Sequence, residues 1–189
     1  MPADAAPSPW LQRWAHLLPA TARVLDVACG RGRHARWLAA RGHVVTAVDR
    51  DAAAIAALDG IAEARQADNE SGPWPWPGRQ WDLVLVTNYL WRPLTPVLRD
   101  AVAPGGWLIH ETFAAGNETV GKPSRADFLL RPGELLAMHA DWRIVGYEDG
   151  FVDGPARFVQ RIVARRPHAA DPPVLRHALA PPEDAGTGG

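Results

Sequence analysis

The stretch Val24-Leu25-Asp26-Val27-Ala28-Cys29-Gly30-Arg31-Gly32, followed by Val44-Val45-Thr46-Ala47-Val48-Asp49, constrains the fold more than any other part of the chain. An apolar run opens into a glycine turn, and a second apolar run ends on a carboxylate. Runs of this kind are buried strands of a parallel sheet, and such sheets bind ligands beyond the carboxyl ends of their strands. Gly30 and Gly32 let the backbone come close to a nucleotide-type cofactor, while Asp49 can accept from both hydroxyls of a ribose. Asp26 lies inside the first strand, so a second acid flanks the opposite end of the ligand. A carboxylate in an apolar strand is costly without a partner, which favours a ligand contact over a strand-end cap. The alternative for Asp49 is to cap the helix that follows through Arg50-Asp51.

Two acids straddling a glycine turn suit S-adenosylmethionine, which carries a cationic amino-acid end and a ribose. The chain resembles the class I S-adenosylmethionine-dependent methyltransferases, whose first motif is hydrophobic-hydrophobic-Asp/Glu-x-Gly-x-Gly-x-Gly. Here Ala28 replaces the first glycine. Alanine leaves room for the ligand unless the position needs positive φ, which it tolerates poorly. The resemblance continues in order through Asp49, Ala67-Asp68-Asn69, Trp74-Pro75-Trp76-Pro77, Trp81-Asp82-Leu83-Val84-Leu85-Val86 and Pro104-Gly105-Gly106, spanning roughly residues 20 to 165. It is also similar to a group of small, single-domain, bacterial-type members. In these the fourth strand runs into Asn-Tyr-Leu-x-Arg-Pro (Asn88 to Pro93) and the fifth ends in Glu-Thr-Phe (Glu111 to Phe113).

The resemblance implies a Rossmann-like methyltransferase fold, an α/β doubly wound, mostly parallel seven-stranded sheet with a C-terminal antiparallel hairpin. The pattern along the chain agrees. Ser8-Pro9 reads as an N-cap and first helical residue of a helix to about Leu18, with Trp10 and Trp14 on the packing face. Strands are expected at 24–28, 44–49, 64–68, 82–88 and 107–113, with helices at 33–41, 51–58 and 94–102. A helix from Pro132 to about His139 precedes two strands, 142–148 and 157–164, joined through Asp149-Gly150 and Asp153-Gly154-Pro155. Trp74 and Trp76, alternating with prolines, read as a packed structural loop.

A chain of 189 residues, 47% hydrophobic and 22% charged, suits one domain at 8–165. Residues 1–7 and 166–189 read as a disordered N-terminus and a flexible tail without apolar period. No run reaches the roughly 18 apolar residues of a membrane span, and the N-terminus lacks a secretory pattern, so the cytoplasm is expected. Cys29 is the only cysteine, so internal disulfides and multi-cysteine zinc sites are excluded and no metal is expected. A net charge of −1 disfavours nucleic acid as a partner, and the oligomeric state is left open.

In the methyltransferase reading Asp26 meets the methionine ammonium, Ala28, Gly30 and Gly32 shape the turn, and Asp49 with Arg50 beside it holds the ribose. Asp68 accepts from the adenine amine and Asn69 flanks the ring, while Thr87 lies where the transferring methyl falls. Tyr89, Glu111 and His110, at the ends of the fourth and fifth strands, are the catalytic candidates. Strand alternation sends His110 and Thr112 to one face and Glu111 to the other. The loop from Ala114 to Arg125 is either a lid or an ordinary surface loop. The expected function is methyl transfer to a small-molecule acceptor. The rivals are a nicotinamide oxidoreductase, since Gly30 to Ala35 fits Gly-x-Gly-x-x-Ala, and a non-catalytic cofactor-binding subunit.

Overall fold

The computed structural model describes residues 6–181. Its chain order is α1 (Pro9–Trp14), β1 (Arg23–Val27), α2 (Arg33–Ala39), β2 (Val44–Asp49), α3 (Ala52–Ala56), β3 (Glu63–Gln66) and β4 (Trp81–Thr87). These are followed by α4 (Thr95–Ala101), β5 (Val102–Phe113), α5 (Glu134–Met138), β6 (Arg143–Val152) and β7 (Arg157–Arg165). The strands form one sheet in the order β3-β2-β1-β4-β5-β7-β6. β1 to β5 pair in parallel, and β7 runs antiparallel to both β5 and β6. The expected topology is borne out, and the strand order reverses between β1 and β4, where open α/β sheets bind ligands.

Alternate side chains of the central strands feed two cores. Leu25, Val27, Val84, Val86 and Leu108 pack with Leu98 of α4 and Leu135 of α5. Val24, Leu83, Leu85 and Ile109 pack with Trp10, Leu11 and Trp14 of α1 and Ala35 and Leu38 of α2. Trp76 is buried edge-on against Trp81, with centroids 5.6 Å apart, so the Trp-Pro stretch is a packed loop as expected.

Several elements differ from the sequence pattern, among them β5, which begins at Val102 rather than at 107. The first helix ends at Trp14 and finishes in a 3-10 turn over Ala15–Leu17. Asp149 and Gly150 lie within β6, opposite Gln160 and Val159, and the hairpin turns at 153–156 instead. Residues 166–181 follow the body of the domain. Arg166 exchanges backbone hydrogen bonds with Gly106 and Gly105, Arg165 holds Asp171 through two bonds of 2.7 and 2.8 Å, and His177 sits edge-on to Trp107 at 5.0 Å. An ion pair and backbone pairing thus fasten a segment that composition alone marks as flexible. At the other end, the Ala6 carbonyl accepts from Arg33. The rest of both expected flexible ends, 1–5 and 182–189, lies outside the described residues.

Candidate active site

The turn after β1 is held by backbone conformation and by Asp49. Gly30 (φ +53°) and Gly32 (φ +78°) are left-handed, and a Cβ on Gly32 would strike the Leu58 side chain. A Cβ on Gly30 would meet nothing within 4 Å, so this turn faces open space on that side. Ala28 is also left-handed, at φ +53°. The position therefore does require positive φ, and the substitution for glycine carries backbone strain of about 1–2 kcal/mol. The Gly30 N–H donates to Asp49 Oδ2 at 2.8 Å, and the Asp51 N–H donates to Oδ1 at 2.9 Å. Asp51, and not Asp49, caps α3 through Ala53 and Ala54. Asp49 is left at the end of β2 with unused lone pairs facing a cavity.

Asp26 is fully buried, and neither carboxylate oxygen has a hydrogen-bond partner. Burial above all, and Asp49 in addition, pushes its pKa up to about 7. The Ala35 backbone N–H and Arg33 pull the other way, the former without meeting hydrogen-bond geometry. The same burial raises the Cys29 thiol above its usual range, so this cysteine is a packing residue.

Three adjoining cavities lie at the carboxyl ends of the strands. One of about 180 Å³ is lined by Ala28, Cys29, Gly30, Arg31, Arg33, His34, Thr87 and Asn88. A second, about 150 Å³, is lined by Ala28, Asp49, Arg50, Ala67, Asp68, Asn69, Glu70 and Tyr89. The third, about 260 Å³, is lined by Glu70, Asn88, Tyr89, Leu90, Thr112, Phe113, Pro123 and Phe128. Ala28 joins the first two, Asn88 joins the first to the third, and Glu70 and Tyr89 join the second to the third.

Eight of the expected site residues line these cavities (Ala28, Gly30, Asp49, Arg50, Asp68, Asn69, Thr87 and Tyr89), some with changed parts, while Asp26 and Gly32 line none of the three and Asp26 is buried in β1 just before the turn. Both Asp68 carboxylate oxygens are used in its own turn, by the Glu70 N–H at 2.9 Å and the Ser71 hydroxyl at 2.7 Å. The free acceptor is Asn69 Oδ1, buried and unpartnered. Thr87 Oγ1 lies 3.3 Å from His34 Nδ1, and burial holds that imidazole neutral with a pKa near 3. The Tyr89 hydroxyl is buried without a partner, its pKa raised by desolvation and by Glu70 and Asp68.

Glu111 and His110, the other two catalytic candidates, do not line these three cavities. Alternation along β5 places them on opposite faces, as expected. Glu111, 1% exposed, is turned toward α1: it accepts from Ser8 Oγ at 3.2 Å and makes an off-axis ion contact of 2.6 Å with Arg161 Nε. Arg157 stands 4.0 Å away. A buried carboxylate on an interior strand needs a cation, and β7 supplies it directly across the ladder, Arg161 standing opposite Glu111. His110 Nε2 donates to the Tyr89 carbonyl at 3.2 Å and is kept neutral by burial, with a pKa near 4, so it positions Tyr89.

His34 and Glu70 line the cavities without having been expected there, and Asn88, expected only to lie near the transferring methyl at the end of the fourth strand, lines two of them. Asn88 had a signal: asparagine is the residue other than glycine that most readily adopts positive φ, and here φ is +55°. The loop after β5 is tied to the domain through Asn117. Asn117, buried, donates to the Pro123 carbonyl at 2.9 Å and accepts from the Phe158 N–H at 3.2 Å.

A methyltransferase-domain family model matches residues 3–142, and the chain belongs to that family. Its sheet is that of the class I S-adenosylmethionine-dependent methyltransferases. A structure of a methyltransferase of this class from Methanosarcina mazei superposes with a TM-score of 0.65 at 16% identity, covering 87% of this chain and 100% of that one. Among curated proteins, hemagglutinin 1 of Eikenella corrodens is 26% identical over 143 residues, 69% of this chain and 47% of that protein. The ribosomal RNA small subunit methyltransferase C of Chromohalobacter salexigens is 51% identical over 57 residues, 26% of this chain and 17% of its own length. The chain thus spans less than half the length of these curated relatives. Among the described residues, no helix is long and apolar enough to cross a membrane.

Proposed function

We propose that the chain binds S-adenosylmethionine and transfers its methyl group to a small-molecule acceptor that enters between the ends of β4 and β5. The observation that carries this reading is the fully buried, unpartnered Asp26 carboxylate beside the glycine turn. Such a group costs stability in the empty protein, and a cationic ligand removes the cost. A nicotinamide cofactor brings no ammonium group to that position.

The residues fit the cofactor along its length. Asp26 would take the ammonium, the turn from Ala28 to Gly32 would let the backbone approach, and Asp49 would accept from the ribose. Asn69 Oδ1 would accept from the adenine amine, Asp68 holds the turn that presents it, and Arg50 stands at the rim. The cofactor supplies a methyl group on a sulfonium leaving group. The protein's part is to align and to exclude water. Thr87 and His34 close the inner wall, and Tyr89 stands between the cofactor and acceptor cavities.

Incubation with methyl-labelled cofactor and fractionated cell extract tests the reading. Label in small molecules is the expected result. Label in RNA would keep the activity and replace the acceptor, in line with the likeness to the ribosomal RNA enzyme. No label in any fraction, with no binding of S-adenosylhomocysteine, would overturn both.

A further inference from the structure

The third cavity points to a class of acceptor, an inference that rests on the methyltransferase reading and narrows it. Its walls are aromatic, with Tyr89, Phe113 and Phe128 around the space, and its volume of about 260 Å³ is just below the ~300–1,000 Å³ usual for ligand sites. One small ring system fills it. Its charged lining residue is acidic, Glu70, which also borders the cofactor cavity. Neither His110, held by the Tyr89 carbonyl, nor Glu111, held by Arg161, lines it, so its charged group is the single carboxylate of Glu70. Phe128 already packs against a cation, the Arg125 guanidinium at 5.3 Å, whose charge Asp127 balances at 3.2 Å. The amide of Asn88, on a strained left-handed backbone, stands at the passage between this cavity and the glycine turn.

We propose that this cavity takes a small, uncharged nitrogen heteroaromatic or tertiary amine and makes the N-methyl cation. The nitrogen lone pair forms the new N–C bond, and the S–C bond of the sulfonium breaks with its electron pair going to sulfur. The positive charge moves from sulfur to nitrogen, so no proton has to be removed and no base is required. Aromatic faces and Glu70 then hold the cation that forms.

The test uses the full chain saturated with S-adenosylhomocysteine and titrated with N-methylquinolinium, alongside turnover with quinoline and, separately, 1-naphthol. N-methylquinolinium binds and quinoline is methylated in preference to 1-naphthol. Phe113→Ala and Phe128→Ala each weaken quinolinium binding tenfold or more while S-adenosylhomocysteine affinity stays within threefold, and Glu70→Gln weakens quinolinium binding at least threefold. Intact S-adenosylhomocysteine binding with no quinolinium binding, or with methylation of 1-naphthol alone, overturns the acceptor class and leaves the methyltransferase reading standing. Absence of S-adenosylhomocysteine binding overturns that reading itself.

Discussion

Replacing Asp26 with asparagine should make the protein more stable and less able to bind its cofactor. The side chain keeps its shape, so packing is unchanged, and the difference between the two lies in charge. Burial raises the Asp26 pKa from 3.8 to about 7. A carboxyl with a raised folded pKa has its full stability below the unfolded value and loses it as pH rises to the folded one. Three pH units at about 1.4 kcal/mol each give about 4 kcal/mol of strain at pH 8 and almost none at pH 4. Relaxation around the charge reduces this, so Asp26→Asn should gain about 2–4 kcal/mol at pH 8 and less than about 1 at pH 4. The same substitution removes a charge-assisted contact worth about 1.5–3 kcal/mol, so S-adenosylhomocysteine affinity should fall about 10- to 150-fold. Urea denaturation at both pH values, with calorimetric titration of the ligand, measures both effects. A variant that is less stable at pH 8, or that binds as tightly as the parent, would refute the reasoning.

Glu111→Gln should cost about 1.5–3 kcal/mol by leaving Arg161, half-buried and held otherwise by Glu148 at 3.2 Å, without its closest counter-charge, while turnover per folded molecule stays within about threefold; a large loss of turnover with unchanged melting would make Glu111 catalytic. Ala28→Gly should release the left-handed strain of about 1–2 kcal/mol less about 0.4–1 of chain entropy, giving a small rise in melting temperature with S-adenosylhomocysteine affinity retained, and a fall in stability would count against it. His34 and His139, with pKa values near 3, and His110, near 4, are all depressed by burial, so the unfolded chain binds more protons below pH 6.5 and stability falls with pH. Three histidines against Asp26 give about 3 kcal/mol lost per pH unit between pH 6 and 4, readable by denaturation across that range, and a flat profile would contradict their burial.

The fold was legible because its signals are local. Strands buried on both faces show as apolar runs, and the turn after β1 needs glycine. Asp26 and Asp49 were readable for the same reason, since a carboxylate stands out against apolar neighbours. What escaped was set by partners far along the chain. Glu111 looks catalytic from its position at a strand end, yet Arg161, 50 residues on, lies across the ladder and takes its charge. His110 is claimed by the Tyr89 carbonyl, a backbone atom no side-chain pattern reports. The contacts of residues 166–181 with the domain, Arg165 with Asp171, the Arg166 backbone with Gly105 and Gly106, and His177 on Trp107, likewise join partners that composition does not disclose.

The central claim is that Asp26 and Asp49 define a cofactor site for a cationic nucleoside. Calorimetric titration with S-adenosylhomocysteine near pH 7, repeated in buffers of different ionisation enthalpy and compared with NADH, tests it most directly. The account predicts one-to-one binding with release of about half a proton as Asp26 ionises against the ammonium, loss of that release in Asp26→Asn, weakening by about 1.5–3 kcal/mol in Asp49→Ala, and no binding of NADH. Binding of NADH in preference, or S-adenosylhomocysteine binding that neither releases a proton nor responds to either substitution, would contradict it.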